Sequence, residues 1–145
     1  MAWPWVSRTN APETKADAVA GEGETARAFT GRSGEALAQR YLEARGLRVL
    51  ERNYRVARGR SRQGGEIDLI LLDTDGTLVF VEVRVRRGAI GGGAAASVDG
   101  PKRARLVYAA QTYLSQLSRV PPCRFDVVAV DGERVQWLKA AFDEH

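Results

Sequence analysis

The pattern of apolar positions in the first half of the chain changes period near residue 46. Residues 32–45 carry apolar side chains at helical spacing, which predicts a helix with Ser33 as its N-cap and Gly46 as its C-cap. Residues 47–56 alternate between apolar and basic positions, which predicts a strand with its arginines exposed. The apolar stripe of the helix is formed by Leu37, Ala38, Tyr41 and Leu42, with Arg45 at its end.

The most regular pattern in the chain predicts a hairpin over residues 65–85. A three-residue loop between Asp73 and Thr77 suits a type I turn followed by a left-handed residue, and Gly76 fits that left-handed position. This loop sets a register in which one face is wholly apolar. The predicted pairs are Leu71 with Val79, Leu69 with Val81, Ile67 with Val83, Asp68 with Glu82, and Glu66 with Arg84.

The second half predicts one more helix and two more strands. Residues 101–118 have helical spacing and begin with Pro101, whereas residues 123–130 and 133–139 are strand-like. The order α-β-β-β-α-β-β predicts an α/β fold with a mixed central sheet flanked by helices. The core stripe of the second helix is predicted to contain Ala104, Val107, Ala110, Leu114 and Leu117.

Length and composition divide the chain into a tail and one domain. Residues 1–30 are rich in Ala, Glu, Thr and Gly without clear periodicity, which predicts a disordered or loosely docked tail. Residues 31–145 suit a single domain with one core. The sequence has no apolar run near the roughly 20 residues of a membrane span, and its N-terminus lacks the pattern of a secretory signal.

Two acidic residues interrupt the apolar hairpin. In the predicted register Asp68 lies directly opposite Glu82, where Cβ atoms are about 4.5–5.5 Å apart. Buried carboxylates at that distance repel one another, and a divalent metal ion is the usual compensation. The alternative is an ordinary solvated charged face. That alternative fits poorly, because the rest of the same face is apolar, at Ile70, Leu72, Leu78 and Phe80.

The rarity of histidine and cysteine excludes several kinds of catalytic site. His145 is the only histidine and Cys123 the only cysteine, which argues against Ser-His-Asp triads, Cys-His pairs and histidine-ligated zinc. Hydrolysis would have to use carboxylates, a metal ion and basic residues. Cys123 is predicted to be a core residue, and a chain without an internal disulfide suits a reducing compartment, the cytoplasm.

Basic residues outnumber acidic ones, with a net charge of +4 and a pI near 9.6. The first turn of the second predicted helix holds Lys102, Arg103 and Arg105, although the dipole at that end favours acidic side chains. Phosphate binding would explain the choice, and so the pattern favours a polyanion-binding surface. A merely solvated basic surface is the alternative. The residues predicted to bind nucleic acid are Arg52, Arg55, Arg58, Arg86, Arg87, Lys102, Arg103 and Arg105.

Several motifs occur in a fixed order, at residues 31–38, 52–55, 65–70, 79–84, 97–99 with 102–103, and 124–128. Together they resemble the YraN family of small bacterial proteins, over about residues 31–139. The resemblance places the chain in the restriction-endonuclease-like superfamily, with the PD-(D/E)xK site pattern, and makes it similar to archaeal Holliday-junction resolvases. It implies an αβββαβ core and hydrolysis of DNA that depends on Mg²⁺ or Mn²⁺.

The resemblance also assigns roles within the candidate site. Asp68 and Glu82 would be metal ligands, the Val83 carbonyl would complete the coordination, and Glu35 would be a third acidic residue at the metal. From the sequence alone, Glu35 is better explained as a complement to its helix dipole. The superfamily's lysine position holds Arg84, which cannot act as a base. The metal alone would then activate water, or Lys102 would substitute in space, or activity would be weak or lost.

The resulting hypothesis is a metal-dependent endonuclease that acts on DNA, including branched or structured DNA, with Glu35, Asp68, Glu82 and Arg84 in its catalytic site. Resolvase-like enzymes act as symmetric dimers, which adds a homodimer as a hypothesis. One alternative is a catalytically weak or inactive nucleic-acid-binding module of the same fold. Another is an adaptor whose basic surface meets an acidic protein partner.

Overall fold

The computed structural model describes residues 17–18, 31–57, 64–86 and 98–142. Within these ranges the order of elements after the first short strand matches the predicted α-β-β-β-α-β-β order. The elements are β1 (Asp17–Ala18), α1 (Gly31–Glu43), β2 (Arg48–Val56), β3 (Gly65–Leu72), β4 (Leu78–Arg86), α2 (Gly100–Ser115), β5 (Cys123–Asp131) and β6 (Arg134–Phe142).

The strands form one mixed sheet in the order β1-β6-β5-β4-β3-β2. Strands β4 and β5 are parallel, whereas every other neighbouring pair is antiparallel. Helix α2 connects the two parallel strands, as such pairs require a crossover. The α/β class with a mixed sheet flanked by helices is therefore confirmed.

The two helices pack against separate apolar clusters on the two faces of the sheet. The α2 cluster joins Leu106 and Leu114 of the helix to Phe80 and Phe125 of the central strands. The α1 cluster joins Leu37 and Leu42 to another set of strand residues. Because side chains alternate along a strand, β4 and β5 supply both clusters and are buried on both faces. Cys123 is fully buried in the α2 cluster, which confirms it as a core residue.

Helix α1 begins earlier than predicted and ends in the predicted way. It starts at Gly31, so Ser33 lies inside the first turn instead of capping it. At the other end Gly46 has a φ of 96°. The Gly46 amide donates to the Glu43 carbonyl at 3.0 Å and the Leu47 amide donates to the Leu42 carbonyl at 3.2 Å. This pair of bonds is a Schellman motif, which satisfies the last carbonyls of the helix.

The hairpin turn is confirmed, but its ladder is shorter than predicted. The Asp73 amide donates to the Thr77 carbonyl at 2.9 Å, and Gly76 has a φ of 89°. Pairing then runs from Leu72–Leu78 to Leu69–Val81 and stops there. The three further predicted pairs, Ile67–Val83, Asp68–Glu82 and Glu66–Arg84, do not form.

An irregularity in β3 explains why the ladder stops. Leu69 packs in the α1 cluster, whereas Ile67 packs in the α2 cluster, so the predicted apolar face does not continue through Ile67. A regular strand would place residues two apart on the same face. On the neighbouring strand Asn53 has a φ of 50°, and its neighbours Arg52 and Tyr54 pair with Leu69 and Ile67. Both strands therefore bend at the level of Asp68.

Helix α2 is rotated relative to the predicted stripe and is shorter. Its N-cap is Asp99, whose Oδ1 accepts a hydrogen bond from the Lys102 amide at 2.9 Å, and Pro101 lies in the first turn as predicted. Ala104 is exposed, and Val107 and Leu117 are only half-buried. The residues of α2 that are buried are Leu106, Ala109, Ala110 and Leu114.

A buried charged network joins the hairpin turn to the last two strands. Asp126 is fully buried and accepts hydrogen bonds from Arg124 Nε at 3.0 Å, from Trp137 Nε1 at 2.9 Å and from the Ala140 amide at 2.9 Å. Arg124 also contacts Asp73 Oδ2 at 2.8 Å. These three partners all donate to Asp126 and so offset part of the cost of its burial, although burial still raises the pKa of Asp126 above its usual value. The network joins three segments of the fold, so its role is structural.

Little of the N-terminal segment falls within the described residues. Asp17 and Ala18 pair with Val135 and Arg134 at the edge of the sheet, so this short piece of residues 1–30 contacts the domain. The prediction for the remainder of that segment lies outside the described residues. In the part of the chain that the structure describes, no helix has the length and apolar character needed to cross a bilayer.

Candidate acidic site at the end of the hairpin

Asp68 lies where β3 and β4 separate. Asp68 Oδ2 accepts a hydrogen bond from the Val83 amide at 2.8 Å. In an uninterrupted ladder that amide would donate to the Ile67 carbonyl, because alternate pairs beyond Asp73–Thr77 are the hydrogen-bonded ones. The carboxylate thus replaces a backbone acceptor, and this fixes its orientation between the two strands.

The carboxyl groups of Asp68 and Glu82 are in direct contact. The pKa of Asp68 is raised from 3.8 to about 8, chiefly by burial and then by the negative charge of Glu82, while the hydrogen bond from the Val83 amide acts in the opposite direction. Glu82 also lies within hydrogen-bonding range of Asp68, which raises the pKa of Asp68 as well. Two carboxylates can share a hydrogen bond only if one of them is protonated. With a pKa of about 8, Asp68 therefore carries a proton through most of the neutral pH range in the metal-free protein.

Two basic side chains approach Glu82, which is only 4% exposed. The Lys102 Nζ atom lies 2.6 Å from Glu82 Oε2, whereas the nearer guanidinium nitrogen of Arg84 lies 3.6 Å from the same oxygen. The shorter distance is a charge-assisted hydrogen bond, and the longer one is an ion pair without one. Lys102 of α2 is therefore the closer partner of Glu82, even though Arg84 lies on the same strand as Glu82, β4.

Close packing of α2 on β3 brings Lys102 to the sheet. A Cβ atom on Gly65 would lie 2.8 Å from the Cβ of Ala109 and 2.9 Å from the Arg105 carbonyl oxygen. Only glycine therefore permits this approach of helix to strand. The N-cap bond from the Lys102 amide to Asp99 fixes the backbone of the first turn, so the Lys102 side chain starts from a defined position.

Glu35 approaches the site from α1, on the other face of the sheet. Gly34 packs so closely on Val85 that a Cβ atom there would overlap the Val85 side chain. Glu35 is half-buried and its Oε1 atom is buried. Its negative charge contributes to the raised pKa of Asp68, as the weakest of the causes. Glu35 is thus near the acid pair, while its role as a metal ligand stays a prediction.

Glu66 lies elsewhere than the predicted register placed it. It pairs with Arg55 on β2 instead of Arg84, with 3.8 Å between Arg55 Nε and Glu66 Oε2. This pair is mostly exposed, so it contributes little to stability. Glu66 also lines a cavity of about 60 Å³ beside Glu82. The other residues that line this cavity are Lys102, Arg105 and Leu106.

The two carboxylates supply part of what a divalent ion requires. Carboxylate oxygens are the ligands that Mg²⁺ and Mn²⁺ prefer, and Mg²⁺ is commonly bound by one or two carboxylates together with waters and substrate phosphates. The contacting oxygens of Asp68 and Glu82 fit that pattern. Across the described ranges, no group of three or more His, Cys, Asp or Glu side chains is placed to hold a metal ion. The fit therefore rests on two carboxylates.

Apart from Lys102, the predicted nucleic-acid-binding residues fall into four groups. Arg52 and Arg55 are exposed on β2 and pair with Leu69 and Glu66, on either side of Asp68. Arg105 is exposed beside the cavity. Arg103 is partly used by the fold, since its Nε donates to the Val98 carbonyl at 3.0 Å and its guanidinium lies 5.2 Å from the Phe142 ring centroid. Arg58, Arg87 and the side chain of Arg86 lie outside the described residues.

The contact between Lys102 and Glu82 is the main feature that sequence reasoning did not specify. The sequence suggested two roles for Lys102, namely phosphate binding and replacement of the superfamily's lysine, whose position on the strand is occupied by Arg84. The unfavourable placement of cations in the first turn of α2 was the available signal. It marked the residue as functional but did not identify Glu82 as its partner, which lies 20 positions earlier in the chain.

The fold and site together define a small α/β protein with a partly buried pair of acidic residues and a lysine beside it. The sequence pattern described as "Uncharacterised protein family UPF0102" matches residues 34–130. The chain therefore belongs to the UPF0102 family, which confirms the YraN-like resemblance. All elements of the candidate site, from Glu35 to Lys102, lie within the matched residues.

Similar proteins occur in several bacteria. A UPF0102 protein of Methylibium petroleiphilum is 58% identical over 113 residues, which cover 78% of this chain and 93% of the relative. One from Paracidovorax citrulli is 55% identical over 129 residues, or 86% of this chain and 93% of the relative. One from a Polaromonas species is 44% identical over 149 residues, or 96% and 98% of the two chains.

Proposed function

We propose that this protein is a metal-dependent endonuclease that hydrolyses phosphodiester bonds in DNA, with Asp68 and Glu82 at its catalytic centre. The observation that carries the proposal is the contact between these two carboxyl groups, at the place where the β3–β4 ladder ends. Such a pair is costly for a fold, because burial and repulsion both disfavour its charged form. A titratable group whose pKa is shifted by burial and by a neighbouring charge, as that of Asp68 is, is typical of a functional site.

Asp68 and Glu82 are the residues that would hold Mg²⁺ or Mn²⁺, with Glu35 close enough to add negative charge. A bound divalent ion supplies Lewis-acid polarisation of the phosphate and lowers the pKa of a coordinated water. The Val83 amide keeps the Asp68 carboxylate oriented before any ligand arrives. Preorganisation of this kind reduces the cost of assembling the site during catalysis.

The basic side chains beside Glu82 have different chemical capacities. Arg84 stays protonated in proteins, so it can stabilise negative charge on the phosphate but cannot accept a proton. Lys102 can do both, because an ammonium group can release a proton. The short distance from Lys102 to Glu82 supports the hypothesis that Lys102 substitutes for the strand lysine of the superfamily.

The DNA backbone would lie across the end of the hairpin, between β2 and α2. Arg52 and Arg55 border the site on one side, and Arg105 borders it on the other. Arginine contacts to phosphates position a duplex without reading its sequence. This arrangement supports a substrate chosen by backbone geometry, including the branched or structured DNA that the superfamily resemblance suggests.

The test is cleavage of linear duplex, single-stranded and four-way-junction DNA in Mn²⁺, with EDTA as the metal-free control. We expect cleavage by the unmodified protein and a loss of at least about a hundredfold in Asp68→Asn and Glu82→Gln, because removal of a key charge-stabilising group costs that much. Glu43→Gln, which changes an exposed carboxylate at the end of α1, is the matched control. Equal cleavage by all variants would refute the proposal.

A second candidate is a nucleic-acid-binding module without turnover. It is favoured by Arg84 at the lysine position and by a donor set of two carboxylates. Such a module would bind DNA equally well in Mn²⁺ and in EDTA, and Asp68→Asn would not weaken binding. The nuclease predicts binding of Mn²⁺ that Asp68→Asn abolishes. Direct titration with Mn²⁺ therefore separates the two candidates.

A further inference from the structure

Lys102 is the cation closest to the acid pair among the described residues. Its ammonium nitrogen lies 2.6 Å from Glu82 Oε2, and the lysine side chain is about one-third exposed. Glu82 is one of the two residues that would hold a divalent ion. One oxygen atom therefore has two competing uses, as a hydrogen-bond acceptor for the ammonium and as a ligand.

We propose that Lys102 is an internal counter-ion, which holds Glu82 when the acid pair carries no divalent cation and turns into the adjacent cavity when one binds. There it joins Arg105 as part of the surface that binds phosphate. The inference rests on the metal site of the proposed function and describes its regulation. It assigns to Lys102 a role in coupling metal binding to substrate binding.

Electrostatics make the two occupants exclusive at close range. An ammonium and a divalent ion on the same oxygen would repel one another strongly in a partly buried site, where the effective dielectric constant is near 20 and not 80. Without either cation, Glu82 would be a buried carboxylate beside Asp68, and the more distant Arg84 would be its remaining basic partner among the described residues. Lys102 therefore stabilises the metal-free site and must leave it for a tightly bound metal ion.

The geometry of α2 allows the side chain to move while the helix stays in place. Asp99 caps the Lys102 amide, and the contact at Gly65 holds α2 against β3. The four-carbon stem of lysine rotates freely compared with a rigid guanidinium. The cavity of about 60 Å³, lined in part by Glu66 and Arg105, lies beside both Lys102 and Glu82. An ammonium head can move into this space without any change in the backbone.

Thermodynamic linkage gives the exchange a consequence for the substrate. A phosphate that attracts the released ammonium stabilises the state in which Glu82 is available to a metal ion. By reciprocity, metal binding raises the affinity for the phosphate by the same factor. The exchange thus predicts that a divalent ion and DNA strengthen each other's binding, and that this coupling depends on Lys102.

The experiment is calorimetric titration of the full chain with Mn²⁺, without DNA. We expect Lys102→Met to bind Mn²⁺ about tenfold more tightly than the unmodified protein, since a competing charge is gone. Lys139→Met is the matched control, because Lys139 is the other lysine within the described residues and lies 4.5 Å from the Trp137 ring centroid, on β6. This control should bind Mn²⁺ as the unmodified protein does.

A second readout uses the unmodified protein and so does not depend on how a variant folds. Reductive methylation followed by peptide mass spectrometry measures the reactivity of the Lys102 and Lys139 amines. Mn²⁺ should increase the methylation of Lys102 relative to Lys139, because the ammonium group leaves its carboxylate partner.

The outcomes separate the inference from the proposed nuclease activity. Unchanged or weaker Mn²⁺ binding by Lys102→Met, or unchanged methylation of Lys102 in saturating Mn²⁺, would overturn the inference even if the protein cleaves DNA. Tighter binding by Lys102→Met in a protein that cleaves no DNA would uphold the inference while the nuclease proposal fails. If neither protein binds Mn²⁺, the inference is overturned together with the metal site.

Discussion

The Asp68 carboxylate takes the place of a backbone carbonyl by accepting a hydrogen bond from the Val83 amide at 2.8 Å. This side-chain hydrogen bond occurs one position beyond the last regular pair of the hairpin, which is Leu69 with Val81. Two functions of the carboxylate are combined here. It satisfies an amide that the diverging strands leave without a ladder partner, and it is held against Glu82 in a fixed orientation.

Asp68→Asn is expected to alter how stability depends on pH in metal-free buffer. The pKa of Asp68 is raised from 3.8 to about 8, so between these values the folded protein holds a proton that the unfolded chain has released. Unfolding then releases a proton, and the free energy of unfolding must fall as pH rises from about 4 to about 8. Asparagine removes this dependence and retains an oxygen that can accept from Val83.

The measurement is urea unfolding in EDTA at pH 5 and pH 9. We expect Asp68→Asn to be close to the unmodified protein at pH 5 and more stable by about 1–3 kcal/mol at pH 9, the usual cost of a poorly compensated buried polar group. Glu43→Gln should change little at either pH, because that side chain is exposed. A variant that is less stable than the unmodified protein at pH 9 would contradict the expectation.

Gly65→Ala should push α2 away from the sheet. The added methyl group would lie 2.8 Å from the Ala109 Cβ and 2.9 Å from the Arg105 carbonyl oxygen, so a backbone must move. Overpacking of this kind costs about 1–3 kcal/mol. Thermal unfolding measures the loss, and Gly100→Ala is the control, since a Cβ atom there meets no atom within 4 Å.

The same glycine variant also tests how Lys102 is positioned. If α2 shifts, the contact between Lys102 and Glu82 should weaken, and the affinity for Mn²⁺ should move in the direction expected for Lys102→Met. Equal stability of Gly65→Ala and Gly100→Ala would show that the helix does not depend on this close approach.

Asp126→Asn should be among the most damaging single substitutions in the chain. Asp126 is fully buried and accepts hydrogen bonds from Arg124, Trp137 and Ala140. The NH₂ group of an asparagine would face one of these donors, and the negative charge that balances Arg124 would be lost. Removal of one partner from a buried ion pair costs about 3–5 kcal/mol. Denaturant unfolding measures this loss, and a cost below about 1 kcal/mol would show that the network is not needed for the fold.

Arg52→Gln with Arg55→Gln should weaken DNA binding in a way that depends on salt. If each arginine contacts one phosphate, the slope of log affinity against log salt should become shallower by about 2, since each contact contributes about 0.9. Binding is measured by fluorescence anisotropy between 50 and 200 mM salt. Arg48→Gln is a control on the same strand, because Arg48 pairs with Leu72 at the end far from Asp68. A slope that changes as much in the control would argue against a localised DNA path.

Local patterns in the sequence were sufficient for most of the elements. The helical and two-residue periods predicted both helices and all the strands from β2 to β6, and Gly76 predicted the hairpin turn with its register near the loop. These features depend on residues only a few positions apart, so they can be read without the fold. The acidic pair was also identified, because charge inside an apolar run is visible in one dimension.

The tertiary structure alone decided where the hairpin ladder stops and which side chains meet there. Regular alternation placed Asp68 opposite Glu82 and Glu66 opposite Arg84, whereas bending of β2 and β3 turned Ile67 to the other face and paired Glu66 with Arg55. The contact of Lys102 with Glu82 requires α2 to cross the sheet at Gly65. Such contacts depend on packing between distant segments, which no local period encodes.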